Sequence, residues 1–588
     1  MGEILSILLI ALPWLGAILV WLTGDSRPKI LHILAVTFSL GAGLVSLVLL
    51  AFAGPGSVLS VQVGSLFGAF TLNPDGLGAS LAAVACVVGS LAVIFSVDYM
   101  HGEAQLSRYY TFVLLFIGAM TGLVLSGNLL FTFFFWEITA LCSYALISFY
   151  NDDPKAVAGG IKALIITQVG GVGLLAGTLA AYASLGSLQV ADLLKGAATM
   201  PAGILAVVAF GFLLAAAAKS AQFPFHTWLP DAMEAPTPVS ALIHAATMVN
   251  AGVYLLARFY PAFVNVPGWT LAVTLVGMIS ALIAGLMALT ATDLKRALAY
   301  STVSQLGYMV YAIGVGGVFA SQFHLLSHAV FKALLFLSAG AVIHSVGTRD
   351  MRRMGGLGAK MPFIRNVFIV GALALAGLPI FNGFWSKELI LEAGLKGPWW
   401  AFGFMLFGAG LTAFYTIRMT WLVFFGAERE QLHAHASGTA MKIATGALAL
   451  GTLTTWLLAG PLSNLLANSL PFHKLEPLAT WLMVEEVLSA PATWIALVVI
   501  AAGAGLWAAI QFRKTGTVLS AQPTATAGWF DVVATSSFGF EWLNQQVVSV
   551  VKKTSTTLQK TQTGELNWNI LGIIGALLVV LAVLAWGV

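Results

Sequence analysis

The stretch HLLSHAVFKALLF places His324, His328 and Lys332 at i, i+4 and i+8, on one face of a helix whose other faces are apolar. Histidine titrates near neutral pH, and desolvation brings a lysine amine toward the same range. Such a stripe can accept protons and pass them on. A lone histidine on an apolar helix reads as a satisfied core residue, whereas three titratable groups in one stripe favour a relay. Metal binding fits poorly, because no carboxylate or cysteine shares the face.

Other ionisable groups sit in equally apolar surroundings. Glu137 lies in FTFFFWEITALCSY, with Thr132 and Thr139 as its polar neighbours. Lys219 ends an apolar run that begins near Pro201; Pro224 then breaks the helix, and His244 follows in the next run. Lys387 stands beside a second break, at Pro379 in GALALAGLPIFNGFWSKELIL, and Lys162 opens GGIKALIITQ. A charge in mid-span costs about 2.5–3.5 kcal/mol on insertion scales, so such a residue normally has a partner. Glu137 either pins helices together in a structural ion pair or pairs with Lys219 in the chemistry. Lys162 either snorkels to the interface or joins the charge row. Glu137, Lys219, His244, His324, His328, Lys332 and Lys387 together form a row along which protons can move through water. A nearby Glu137 stabilises protonated Lys219; once it withdraws, desolvation drives the proton onward.

The elements that position these groups follow from composition. Of the 588 residues, 59% are hydrophobic and 9% charged, against about 25% charged in a soluble protein. Roughly sixteen apolar runs, each of about 20 residues, predict an all-α, polytopic membrane protein with the lipid bilayer as its solvent. Residues 1–108 hold spans one to three, and the first run reads as a retained helix rather than a signal peptide. Residues 109–260 and 268–425 each hold five spans with a broken helix at the matching place, and an odd count makes the second set enter from the opposite face. Two interrupted segments at corresponding positions of inverted repeats point to a transport site. Residues 442–512 add two spans. Residues 513–588 hold a linker, a stretch near 540–560 with amphipathic spacing and Lys552, Lys553 and Lys560, and a last span. That stretch reads as a short lateral helix on the membrane face or as a polar linker with some helix. Basic residues concentrate after odd-numbered spans, which predicts that this side is cytoplasmic and both termini are non-cytoplasmic; for a prokaryotic source the membrane is the inner (cytoplasmic) one. The net charge of +4 says little about partners. Cys86 and Cys142 lie in separate runs without a C-x-x-C, so no iron–sulfur cluster or disulfide framework is expected in this chain. No phosphate-binding loop or nucleic-acid partner is indicated either.

The sequence also resembles a known family. KSAQFPFHTWLPDAMEAPTPVSALIHAATMVNAGVYLLAR, ATDLKRALAYSTVSQLGYM, FHLLSHAVFKALLFLSAGAVIHSVGTRDMRRMGGL and GLPIFNGFWSKE are similar to the antiporter-like subunits of respiratory complex I, above all to the large subunit L, or mitochondrial subunit 5, type. The superfamily includes multisubunit cation/proton antiporters and membrane-bound hydrogenases. The resemblance implies two inverted five-helix repeats, proton translocation and assembly in a larger complex. It also implies that Glu137, Lys219, His244, His324, His328, Lys332 and Lys387 form a central hydrophilic axis. The implied partners are other antiporter-like subunits and a peripheral redox arm, which would carry iron–sulfur clusters with a flavin or a nickel–iron centre. Three features depart from the complex I pattern: ITQVGGVGLLAG in the sixth span, a single proline in LPIFNGFW, and the short amphipathic stretch. Asn250, in turn, stands where the antiporter type tends to have lysine.

The leading expectation is a proton-translocating subunit of a redox-driven pump of the NADH–quinone oxidoreductase or hydrogenase type, itself without redox cofactor. A subunit of a multisubunit Na⁺/H⁺ antiporter is the alternative. A purely structural subunit would have no reason to bear the insertion cost of the row.

Overall fold

The computed structural model describes residues 1–54, 58–64, 68–432, 434–513 and 540–561. The apolar runs are helices: α1 (Gly2–Thr23), α2 (Pro28–Leu50), α3 (Gly76–Tyr99), α4 (Leu106–Leu125), α5 (Leu129–Ile147) and α6 (Pro154–Leu185) come first. The connection between α2 and α3 carries an antiparallel hairpin, β1 (Leu59–Gly64) and β2 (Gly68–Leu72). After the short α7 (Val190–Gly196), α8 (Ala202–Lys219) stops at its lysine, and α9 (Trp228–Asp231) and α10 (Thr237–Ala241) follow. A π-helical turn at Leu242–Ala246 joins α10 to α11 (Met248–Phe263). Next come α12 (Trp269–Thr290), α13 (Leu294–Gly314), α14 (Val318–Val346), α15 (Leu357–Lys360), α16 (Pro362–Ala376), α17 (Asn382–Gly394) and α18 (Trp399–Thr420). α19 (Thr439–Thr454), α20 (Ala459–Ser469), α21 (Thr480–Ser489) and α22 (Pro491–Arg513) complete this unit. A separate compact unit is described over one helix, α23 (Phe540–Thr561). On α23, Trp542, Val550 and Lys552 are exposed; the span expected near 568–587 lies outside the described residues.

Thirteen helical stretches among the described residues are long and apolar enough to cross a membrane, and Pro362–Ala376 is a shorter apolar helix. The chain is an all-α, multi-pass membrane protein. α13, rich in Ser, Thr and Gln, is too polar to be counted among the thirteen, yet it is buried nearly throughout.

Small residues set the closest helix pairs. On α6, a Cβ on Gly170 would lie 2.6 Å from Ala218 Cβ of α8, and one on Gly173 would lie 2.7 Å from the Gly211 carbonyl oxygen. Gly277 of α12 and Gly307 of α13 meet in the same way, each within 2.6 Å of the other's carbonyl. Lipid tails are as apolar as leucine, so close packing of small residues replaces the hydrophobic drive between helices.

A buried ion pair, unforeseen in the sequence, clamps one end of the bundle. The Arg258 guanidinium of α11 donates to both carboxylate oxygens of Asp75, the Nη2–Oδ1 distance being 2.8 Å. Asp75 also caps α3 through Gly78 N at 2.9 Å, and Tyr254 OH supports the guanidinium. His473, just beyond α20, bonds the Ala257 carbonyl at 2.8 Å, and Ser469 Oγ accepts from Gly76 N at 2.7 Å. α3, α11 and α20 are thus tied by polar bonds at one level.

In the surface loops, hydrogen bonds from Arg352 and Arg353 hold the Asp350 and Glu430 carboxyls below their ordinary range. Their contribution is present at neutral pH and is lost as pH falls through the carboxylate range; it is small, because Glu430 is exposed and Asp350 only partly buried.

Removing one partner of a buried pair leaves an uncompensated charge, at a cost of about 3–5 kcal/mol. Asp75→Ala should therefore lower the unfolding temperature of the detergent-solubilised protein markedly, whereas Asp350→Ala should shift it little.

Candidate functional site

A helix that stops inside a membrane domain leaves backbone groups unpaired, and neighbouring elements must satisfy them. At the first break α8 ends at Lys219, Ala221 takes a positive φ of 50°, and Phe223–Pro224 is a cis peptide. The freed Ala218 carbonyl accepts from Trp228 Nε1 at 3.0 Å, and Phe223 N donates to Ser280 Oγ at 2.8 Å. Gln222, fully buried, reaches from the break to the Val303 carbonyl of α13 at 3.4 Å. At the second break α16 ends at Ala376, Gly377 takes a φ of 84°, and Pro379 and Ile380 lead into α17. Asn382 Nδ2 spans this break, donating to the Ser327 carbonyl and to Thr455 Oγ1.

Each break presents a buried lysine. Lys219, with no exposed surface, donates to the Trp136 carbonyl at 2.8 Å, and its amine stands 4.6 Å from the Trp136 ring centre. Trp136 immediately precedes Glu137 on α5, so Glu137 and Lys219 share one neighbourhood. Glu137 is half-buried; one carboxylate oxygen accepts from Gln168 Nε2 of α6 and the other is buried without a partner. A Cβ on Gly171 would come within 2.3 Å of that second oxygen. The glycine run of the sixth span therefore does two things: Gly170 and Gly173 admit α8, and Gly171 makes room for the Glu137 carboxylate.

Lys162, two turns into α6, is ion-paired with Asp231 at 2.8 Å, and Arg296 reaches the same carboxylate at 3.2 Å. This ties α6 and α13 to the segment that follows the first break. The buried His226 lies within electrostatic reach of Lys162.

The polar face of α13 is the element that joins the rest. Ser301, Gln305 and Tyr308 recur at i, i+4 and i+7, and each meets one titratable group. Lys332 of α14 donates to Ser301 Oγ and to the Leu298 carbonyl, the latter at 2.9 Å. His324 pairs Nε2 with Gln305 Oε1 at 3.2 Å and Nδ1 with Ser386 Oγ of α17 at 2.9 Å. Lys387 holds its amine 5.2 Å from the Tyr308 ring centre. His328 stands between His324 and Lys332 on α14, fully buried, with neither ring nitrogen hydrogen-bonded. His244 sits in the π-helical turn between the Trp228 and Phe336 rings, within electrostatic reach of Lys332 and Lys295. That turn offsets the ladder, and Asn250 Nδ2 takes the Ala245 carbonyl at 2.8 Å. Lys332, His328, His324 and Lys387 thus form one contiguous buried set with α13. Lys219, Glu137 and Lys162 cluster at the first break, and Gln222 and His244 lie toward α13 and α14 from there.

Several of these partners escaped the sequence reading. Gln168, Asp231, Ser301 and Gln305 are polar residues within or beside apolar runs. The spacing of 301, 305 and 308 was the available signal. Lys295 reads as a loop cation, but it is buried and donates to the Ala235 carbonyl at 2.6 Å.

Residues 126–412 match the family described as NADH:quinone oxidoreductase/Mrp antiporter, transmembrane, and residues 61–110 match the family described as NADH-ubiquinone oxidoreductase (complex I), chain 5 N-terminus. The chain belongs to this antiporter-like family. The NAD(P)H-quinone oxidoreductase chain 5 of Synechocystis sp. is 44% identical over 372 residues, 60% of this chain and 54% of that protein's length. The chain thus spans about half the length of the relative it matches. In the Mrp complex of Dietzia sp., a chain with 28% identity superimposes with a TM-score of 0.79, covering 99% of this chain and 63% of that one. A chain of the membrane-bound sulfane sulfur reductase, an archaeal respiratory membrane complex, superimposes with a TM-score of 0.70 at 27% identity, covering 82% of this chain and 99% of that one. The first match, residues 126–412, contains the whole buried row from Glu137 to Lys387, and the second covers most of the hairpin and α3 that precede it.

Gly171 gives a direct handle on Glu137. Gly171→Ala should displace the carboxylate without breaking the α6–α8 contact, which is made by Gly170 and Gly173. The variant should keep its unfolding temperature in detergent close to that of the native chain while the infrared carboxyl band of Glu137 shifts; an unshifted band would mean that Gly171 does not make room for the carboxylate.

Proposed function

We propose that this chain is a proton-translocating membrane subunit of a redox-driven ion pump. The observation that carries the reading is the buried row, in which titratable side chains on α14 and α17 are linked through the polar face of α13 and flanked by two helix breaks. Retaining so many ionisable groups in apolar surroundings is costly unless they are used. Lys219 is the switching carrier and Glu137 its modulator. Lys332, His328 and His324 pass protons to Lys387, with His244 contributing between the halves. Lys162, held by Asp231, sets the electrostatics at the first break. The interrupted α8 and the α16–α17 pair are the matching elements of two inverted five-helix halves.

In this reading the electron chemistry belongs to partner subunits, which carry iron–sulfur clusters with a flavin or a nickel–iron centre. The chain lies in the inner (cytoplasmic) membrane with both termini on the non-cytoplasmic side, beside other antiporter-like subunits. A second reading, a subunit of a multisubunit Na⁺/H⁺ antiporter, is favoured by the superposition on the Mrp complex over 99% of this chain.

Gentle purification from the native membrane separates the two. Co-purifying iron–sulfur subunits with donor-driven proton pumping support the first reading; a complex of small membrane proteins without redox cofactor supports the second and overturns the first. In the reconstituted complex, Lys219→Ala should abolish proton pumping while the subunits still assemble. Pumping at the native rate would refute the role given to Lys219.

A further inference from the structure

The row described above reaches Lys387 and says nothing of how a proton leaves it. Lys387 is 1% exposed, and its amine has no hydrogen-bond partner. The next residue, Glu388, is equally buried; its carboxylate lies within hydrogen-bonding reach of the Thr493 side chain of α22 and close to Tyr308 of α13. A buried amine and a buried carboxylate on successive residues, neither in a salt bridge among the described residues, are costly to keep and can exchange one proton through intervening water.

One turn on, at i+4, Glu392 shares the face of α17 with Glu388. It is half-buried, and its Oε2 is enclosed without a partner. α21 and α22 pack against α17, and α21 brings Glu486 toward Glu392; Lys396, beyond the end of α17, is the other charge acting there. Glu486 is exposed. From this face of α17 across to α21 the acidic side chains pass from fully buried, at Glu388, through half-buried, at Glu392, to exposed, at Glu486.

We propose that protons leave this chain from Lys387 through Glu388 and Glu392, emerging beside Glu486 between α17 and α21. The proposal rests on the proton-translocating reading and extends it to the exit. In the first step an N–H bond of the Lys387 ammonium breaks, the proton passes through an intervening water, and an O–H bond forms on the Glu388 carboxylate, leaving a neutral amine and a neutral acid. The proton then passes through water to the Glu392 carboxylate, which returns Glu388 to its anion, and from there to bulk water at the mouth. Glu486 keeps the potential at the mouth negative, which draws the proton outward. The amine of Lys387 is reprotonated from the His324 side.

The test uses the intact complex reconstituted in liposomes, with proton transport read by a pH-sensitive dye and assembly by co-purification. Glu392→Gln should slow pumping at least about tenfold and Glu486→Gln, whose exposed group water can partly replace, about threefold. Glu392→Asp should recover most of the rate, a rescue that a purely structural role for the side chain would not require. Lys219→Ala is measured alongside. If Glu392→Gln and Glu486→Gln pump at the native rate while Lys219→Ala does not, the exit lies elsewhere and the proposal falls with the broader reading intact. If Lys219→Ala also pumps at the native rate, the broader reading falls with it. Should Glu392→Gln fail to assemble, Glu486→Gln decides, and native-rate pumping overturns the proposal.

Discussion

Burying an amine in a membrane domain without an adjacent counter-ion is the constraint on which the rest of this structure depends. Three lysines meet it in the same way, by donating to backbone carbonyls: Lys219 to Trp136, Lys332 to Leu298 and Lys295 to Ala235. A carbonyl is a dipole rather than a charge. It holds an ammonium and an amine with less difference between them than a carboxylate would, and so leaves the proton free to move. A tight Lys–Glu pair would trap it. Lys387 is held more loosely still, over the Tyr308 ring.

That solution dictates local structure. Carbonyls become available where helices break, where a π-helical turn offsets the ladder, and where Ser and Thr side chains crowd one turn. At Leu298 the Ser301 and Thr302 hydroxyls share the carbonyl that Lys332 uses. The irregular segments are stable because rigid packing surrounds them: glycine contacts between α6 and α8 and between α12 and α13, and the Asp75–Arg258 clamp joining α3 and α11. Specificity of position thus comes from small residues and a buried ion pair, while the polar interior remains adjustable.

Much of this was legible in the sequence, because membrane helices announce themselves by apolar runs and any charge within one is conspicuous. Of the fifteen spans expected up to residue 512, thirteen fall on helical stretches long and apolar enough to cross a membrane, while the tenth is the polar α13 and the twelfth is divided between α16 and α17. The chemistry hidden from sequence was of two kinds. Uncharged polar partners such as Gln168, Ser301 and Gln305 carry little cost in a helix, so nothing in composition marks them until a neighbour is known. Charged residues near span ends, Asp75, Arg258 and Lys295, look like interfacial residues, and three-dimensional packing alone buries them. Lys162 could have snorkelled; Asp231, 69 residues on, decides its surroundings.

The central claim is that protons cross from the first break to the second along one buried row. Proton transport per electron in the reconstituted complex bearing Lys332→Met tests it most directly, because Lys332 stands between the two breaks and its role is independent of either one. The account predicts an assembled complex whose pumping falls as far as that of Lys219→Ala, with no further loss when the two substitutions are combined. Native stoichiometry in Lys332→Met, or additive partial losses in the double variant, would mean that the two halves conduct separately and would contradict the account.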